Sequence, residues 1–237
     1  MNIFFSELIG TALMLLFGGG VVANVLLEKT KEAQGGWLVI TLGWALAVFV
    51  GVYSSVHLGG QGHLNPAVSI AMLSLGKIAS TDLLYYVSAQ FAGAMIGATL
   101  VWLLYYPHFA ITQNADFKLG VFCTAPAQRN TIHNLISETI GTFALVFGAL
   151  CISPAAGKMG SMDALPVSLL VLGIGLCLGG PTGYGINPAR DLGPRIMHFL
   201  LPIAGKRDSD WAYSWIPVVG PIAGALLAAF LYGQLMA

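Results

Sequence analysis

Two stretches of sequence decide the fold of this chain. Residues 57–73 read His-Leu-Gly-Gly-Gln-Gly-His-Leu-Asn-Pro-Ala-Val-Ser-Ile-Ala-Met-Leu, and residues 179–191 read Gly-Gly-Pro-Thr-Gly-Tyr-Gly-Ile-Asn-Pro-Ala-Arg-Asp. Asparagine is a favourable helix N-cap, and proline fits the first helical position because it lacks the N–H that would have no partner there. A helix should therefore begin at each Asn-Pro-Ala. The apolar run that follows each motif is only about half as long as the ~20 residues that a membrane span needs.

The composition around these stretches is that of a membrane protein. Of 237 residues, 57% are hydrophobic and 8% are charged, whereas soluble domains carry about 25% charged residues. Lys+Arg and Asp+Glu are balanced at 10 each, so no basic surface is available for nucleic acid. The three cysteines are scattered, and no metal-binding, cofactor-binding or catalytic motif is found. The sequence predicts neither an enzyme nor a cofactor.

Six apolar segments are long enough to be membrane spans. They are continuously apolar rather than alternating, which favours helices over barrel strands. The predicted fold is an all-α membrane protein with six transmembrane helices and two half-helices. The predicted spans are 3–27, 37–56, 83–106, 133–153, 164–180 and 212–235. Short polar connections are expected at 28–36, 107–132 and 154–163.

The chain also contains an internal repeat. Ser-Glu-x-Ile-Gly-Thr occurs at residues 6–11 and again at 137–142, and each copy is followed by an Asn-Pro-Ala motif and then by Ala-Gly-Ala, at 92–94 and 223–225. We expect one channel domain, 1–237, made of repeats of about 1–110 and 131–237. Since each repeat has three spans, the second copy would be inverted, and the two half-helices would meet at the middle of the membrane.

Two helix N-termini at that depth are tolerated only beside a water-filled cavity, so they predict a pore. Each terminus contributes about half a positive charge and repels cations. The Asn65 and Asn187 carboxamides would offer N–H donors to a passing oxygen. Such a pore suits water or neutral hydroxylated solutes.

The paired motifs, Asn65-Pro66-Ala67 and Asn187-Pro188-Ala189, within this repeat resemble the major intrinsic protein family of aquaporins and glycerol facilitators over essentially the whole chain. The resemblance implies homotetramers in the lipid bilayer, with one pore in each subunit. It also implies a selectivity filter, which by position consists of Trp44, Gly175, Tyr184 and Arg190. Ala45 is the alternative to Trp44, because the loop from residue 53 to 65 looks one residue longer than is usual in the family.

Several positions are similar to the glycerol-facilitator branch. Asp191 follows Arg190, Arg195 is basic, and residues 217–218 are Pro-Val. Gly175 stands where water-selective members have histidine, which predicts a wide filter that passes glycerol and some water. Tyr184 replaces the usual phenylalanine, and its hydroxyl leaves protonated lactic acid as an alternative solute. A water-selective pore is the other alternative.

Three polar residues in or near the spans have two interpretations. Glu7 and Glu138 could relay protons, but we expect them to accept hydrogen bonds from the irregular backbone before the half-helices. His63 is expected to order the loop beside the pore rather than to gate it.

A secondary transporter also uses inverted repeats and broken helices, but it should place coupling carboxylates at the midplane. A gated ion channel is a further alternative, but the two positive helix ends at the centre oppose cations.

The distribution of basic residues and the family resemblance predict opposite orientations of the chain in the membrane. If the N-terminus is cytoplasmic, the cytoplasmic side holds only two basic residues, Lys77 and Lys158. The positive-inside rule therefore favours the opposite orientation. The resemblance implies that both termini of this multi-pass protein lie on the cytoplasmic side of the cell membrane, and this is our expectation. The opposite side would then hold Lys29, Lys31, Lys118, Arg129, Lys206 and Arg207.

Overall fold

The computed structural model describes residues 3–155 and 160–236, and within these ranges its regular structure is entirely helical. The long helices correspond to the predicted spans, and two shorter ones begin at the Asn-Pro-Ala motifs. The helices are α1 Ile3–Leu26, α2 Gly36–His57, α3 Pro66–Ser74, α4 Ser80–Leu104, α5 Tyr106–Ile111, α6 Ala115–Gly120, α7 Thr131–Ala155, α8 Ala164–Cys177, α9 Pro188–Leu200 and α10 Ile216–Met236.

Among the described residues, α1, α2, α4, α7 and α10 are long and apolar enough to cross a membrane. The remaining span, α8, is the fifth in chain order and is shorter than predicted: it has 14 residues and ends at Cys177 rather than near residue 180. Gly179, Gly180 and Pro181 follow this end, and glycine and proline both disfavour continuation of a helix. A short 3-10 helix, Gly160–Asp163, precedes α8. The chain is a multi-pass integral membrane protein with six spans and two half-helices.

The long helices pack in two similar groups. Helix α1 packs on α2 and α4, and α7 packs on α8 and α10. Gly93 in α4 lies against the Leu8 carbonyl of α1, and Gly224 in α10 lies against the Thr139 carbonyl of α7. Small residues at such crossings let helix backbones approach closely. This arrangement agrees with a repeat, although the boundaries at 1–110 and 131–237 stay a prediction.

Both half-helices begin with the cap that the motif predicts. Asn65 is extended at φ −154°, and its side-chain oxygen accepts a hydrogen bond from Ala67 N. Asn187 is extended at φ −156°, and its oxygen accepts from Ala189 N and Arg190 N. These bonds satisfy amides that the first turn of a helix leaves without partners.

The connection between residues 107 and 132 differs from the polar loop that was predicted. It contains α5 and α6, and the side chains of Phe109, Leu119 and Phe122 are fully buried. The prediction was wrong because the apolar residues of this segment are too dispersed to form a recognisable pattern. In the other connection, 154–163, residues 156–159, including Lys158, lie outside the described residues.

Candidate functional site

A cavity of about 420 Å³ runs between the two half-helices. Asn65 and Asn187 lie on its wall, with Lys77 and Asp163 among the lining residues of one end. Trp44, Tyr184 and Arg190 line the opposite part. Aliphatic side chains form much of the remaining wall: Val48, Val52, Val68, Leu145, Val167 and Val171.

The two asparagines connect the halves of the molecule. Asn65 Nδ2 donates to the Ile186 carbonyl, and Asn187 Nδ2 donates to the Leu64 carbonyl, each at 2.8 Å. A carboxamide has two N–H groups, so each asparagine retains one for a passing oxygen. The fixed bonds hold these donors in place at the meeting point of the half-helices.

The backbone before each motif has the same unusual conformation. Gly62 and Leu64 have φ of 67° and 50°, and Tyr184 and Ile186, the equivalent positions, have φ of 40° and 41°. Non-glycine residues in this region cost about 1–3 kcal/mol each. Other parts of the chain must therefore hold these loops in place.

Glu7 and Glu138 supply that support. Glu7 accepts from the backbone amides of His63 and Leu64 at 2.9 and 2.7 Å. Glu138 accepts from those of Gly185 and Ile186 at 2.9 and 2.7 Å. Both side chains are buried and neither lines the cavity, which favours the expected structural role over proton relay.

His63 lies beside the same network. Its Nδ1 is 3.1 Å from Ser69 Oγ, and its ring stacks on Tyr86 with centroids 4.5 Å apart. Gln90 links Ser69 Oγ to Glu7 through its side-chain amide. His63 is thus held on the cavity wall by contacts with Ser69 and Tyr86, and its ordering role stays a prediction.

Trp44 and Arg190 are in direct contact. The Arg190 guanidinium carbon lies 4.2 Å from the centroid of the Trp44 ring, a distance suited to a cation–π interaction. Ala45 is buried and does not line the cavity. Of the two alternatives in α2, the structure therefore places Trp44 beside the arginine.

Gly175 does not leave the open space that was expected. A Cβ added to Gly175 would lie 3.0 Å from Tyr184 Cζ and 3.0 Å from Thr41 Cγ2. The Tyr184 ring thus fills the space beside this glycine, and Gly175 is not a lining residue of the cavity. The small residue accommodates a tyrosine, so its size alone does not make the filter wide.

Asp191 lies behind the cavity and binds a connecting segment. Its carboxylate accepts from Thr124 N and Oγ1 at 2.8 and 2.6 Å and pairs with the fully buried Arg195 at 2.8 Å. Arg195 also donates to the carbonyls of Thr124, Ser209 and Asp210. Sequence reasoning missed this network. The only signal was an acid and a base four residues apart on the second half-helix, because the carbonyl partners carry no side-chain signature.

Within the described residues, no group of three or more His, Cys, Asp or Glu side chains could hold a metal ion. The charged side chains on the cavity wall are Arg190, Lys77 and Asp163, and the two half-helix N-termini add partial positive charge. This arrangement opposes cations. It offers hydrogen-bond donors to neutral solutes that can lie against apolar walls.

Comparison with known proteins agrees with this architecture. The family model described as "Major intrinsic protein" matches residues 1–232. A probable glycerol uptake facilitator protein of Thermotoga maritima is 50% identical over 99% of this chain and 100% of its own length. A D/L-lactic acid transporter of Lactiplantibacillus plantarum is 39% identical over 96% of this chain and 95% of its own length. The X-ray structure of the aquaglyceroporin from Plasmodium falciparum superposes with a TM-score of 0.86 at 29% identity, covering 99% of this chain and 96% of that one.

Proposed function

This chain belongs to the major intrinsic protein family, and on that premise we propose that it lets glycerol and similar small uncharged solutes, together with water, diffuse across the membrane. Members of this family are channels rather than enzymes. The observation that carries the proposal is the cavity whose two asparagines each retain one N–H for a passing oxygen. The 50% identity to a probable glycerol uptake facilitator supports the solute class.

The walls of the cavity favour a solute with one polar and one apolar edge. Arg190 can donate to hydroxyl oxygens, whereas Trp44, Tyr184 and the aliphatic side chains can pack against carbon. Apolar walls bind an alkyl backbone without a desolvation penalty, and fixed donors replace the water that the hydroxyls lose. Glycerol, with one carbon edge and three hydroxyls, fits this pattern better than an ion does.

Solute-gradient swelling of proteoliposomes tests the proposal. Vesicles holding the purified protein should take up glycerol much faster than protein-free vesicles, and uptake should follow the glycerol gradient alone. An imposed sodium gradient or membrane potential should not change the rate. Accumulation of glycerol above its outside concentration would instead demonstrate a secondary transporter.

Lactic acid in its neutral form is the second candidate solute. The Tyr184 hydroxyl has no hydrogen-bond partner among the described residues, but its oxygen is buried, so it can bind an additional polar group of a solute only if the ring turns toward the cavity. The 39% identity to a relative named as a D/L-lactic acid transporter supports testing this acid. Including water, urea and dihydroxyacetone in the swelling panel would also distinguish a water-selective pore.

We further propose the assembly and location of the protein. Large apolar side chains such as Leu46, Leu84 and Phe230 are exposed on the long helices, which suits contact with lipid or with other subunits of a homotetramer. The location is the cell membrane, with both termini in the cytoplasm. A protease-cleavable tag at the N-terminus should therefore resist protease added to intact cells and be cut after lysis.

A further inference from the structure

The Tyr184 ring is enclosed by residues that do not line the cavity. A Cβ at Gly175 would lie 3.0 Å from Tyr184 Cζ, and one at Gly179 would lie 2.5 Å from Tyr184 Cδ1. The ring therefore packs directly on the backbone at the end of α8, and Tyr184 is only 5% exposed. Trp37 is the third neighbour, because its ring meets that of Tyr184 edge to face with centroids 5.6 Å apart.

Trp37 also fixes the end of α8 itself. Its indole Nε1 donates to the carbonyl of Gly175 at 3.0 Å. Gly175 is in the last turn of α8, where helix carbonyls lack an intrahelical partner. Trp37 lies near the start of α2, 138 residues away in sequence. One side chain thus connects α2, α8 and the Tyr184 ring.

Packing contacts, rather than a hydrogen bond of its hydroxyl, hold the Tyr184 ring in one orientation. Its backbone is in the left-handed region at φ 40°, and its hydroxyl has no hydrogen-bond partner among the described residues. An aromatic pair in edge-to-face geometry adds specific orientation to ordinary packing. The position of this cavity-lining ring therefore depends on Trp37 and on the two glycines.

We propose that Trp37 is a positioning residue for solute selection and that it acts through Tyr184. This inference rests on the proposed function, since it concerns which neutral solutes pass the same cavity. Trp37 does not line the cavity, so its effect on selection is indirect. Without the indole, the Tyr184 ring can move into the vacated space, and the cavity beside Arg190 widens.

The test compares Trp37→Leu with the wild type in proteoliposomes, using erythritol, glycerol and water as probes. We expect the ratio of erythritol to glycerol permeability to rise by roughly fivefold, because the barrier for the larger polyol falls most. Trp37→Phe keeps one aromatic ring but loses the N–H and the second fused ring of the indole, so a smaller rise, of about twofold, is expected. This milder variant provides the measurement if Trp37→Leu does not insert.

The matched control is Trp215→Phe, because Trp215 is 42% exposed compared with 40% for Trp37 and lies outside the cavity wall. Its permeability ratios should equal those of the wild type. The dependence on Tyr184 is tested by adding Trp37→Leu to Tyr184→Leu. Adding Trp37→Leu to the Tyr184→Leu variant should leave its ratio of erythritol to glycerol permeability unchanged.

Unchanged ratios in both Trp37 variants would overturn the inference, and so would a rise of equal size in Trp215→Phe. A Trp37→Leu effect that persists in the Tyr184→Leu background would show that Trp37 does not act through Tyr184. Wild-type vesicles that pass water but no glycerol would contradict the proposed function instead. In that case the inference predicts a gain of glycerol flux in Trp37→Leu, and no gain would refute it.

Discussion

Glu7 and Glu138 bind the two loops that precede the Asn-Pro-Ala motifs. Each carboxylate accepts two backbone N–H groups from a loop that contains positive φ angles. Because both acids are buried away from the cavity, we propose that they hold the strained loops in place. Removing an acceptor would leave a buried amide without a partner.

For this reason we expect Glu7→Gln and Glu138→Gln each to destabilise the protein by about 1.5–3 kcal/mol, the value of a hydrogen bond to a charged group. The loss would appear as a lower midpoint of thermal unfolding in detergent. Glu32→Gln, at an exposed residue, is the control and should leave the midpoint unchanged. A proton conductance that is present in wild-type vesicles and absent in these variants would support the relay interpretation instead.

Gly175→His should reduce glycerol flux much more than water flux. The new side chain has to share space with Tyr184 and Thr41, and so forces one ring toward the cavity. Gly173→His is the control, because a side chain at Gly173 meets no atom within 4 Å. Equal loss of both fluxes in Gly175→His, measured per inserted protein, would argue against Gly175 as part of the filter.

At the scale of elements, the helix crossings are fixed by glycines that contact backbone. A Cβ at Gly93 or Gly224 would come closer than 3.0 Å to a main-chain carbonyl oxygen of the adjacent helix. Carbonyl groups in a helix cannot move aside as flexible side chains can. The two helix pairs therefore tolerate no larger residue at these positions without separating.

We expect Gly93→Ala and Gly224→Ala to lower the midpoint of thermal unfolding by roughly 2–12 °C, which corresponds to an overpacking cost of about 1–3 kcal/mol. Gly20→Ala in α1 is the matched control, because a Cβ there meets nothing within 4 Å. It should be neutral or slightly stabilising, since alanine favours helix. Similar losses in all three variants would contradict the assigned crossings.

The elements differ in how far the sequence could predict them. The spans and the two caps could be predicted because apolar run length and the Asn-Pro pair are local signals. The helices α5 and α6 could not, because their buried residues are too dispersed to form a pattern. The packing of Trp37 on Tyr184 joins residues that are distant in sequence, and single positions give no sign of such contacts.

At the scale of the whole molecule, the distribution of charge determines which form of an acid can pass. Arg190 and the two helix N-termini attract anions, but a carboxylate must lose hydration beside Trp44, Tyr184 and the aliphatic wall. Few fixed donors replace that water. The neutral acid should therefore be the permeant form.

If lactic acid crosses, its flux through the protein should rise as pH falls toward the pKa of the acid, in proportion to the protonated fraction. The measurement is uptake into proteoliposomes at fixed total lactate, with the leak of protein-free vesicles subtracted. Glycerol flux over the same pH range is the control and should stay constant. A flux that grows with the concentration of the anion would contradict a mechanism based on neutral solutes.

The crossed bonds between the asparagines and the opposite loops also determine when the protein can be completed during synthesis. Asn65 binds a carbonyl 121 residues later in the chain, and Leu64 accepts from an amide 123 residues later. At about 5–20 residues per second, the ribosome needs roughly 6–24 s to produce that partner. Throughout this interval the Asn65 carboxamide and the Leu64 carbonyl lack their final partners at the depth of the bilayer centre. The first half of the nascent chain is therefore an intermediate that must remain hydrated or be sheltered until Ile186 and Asn187 arrive.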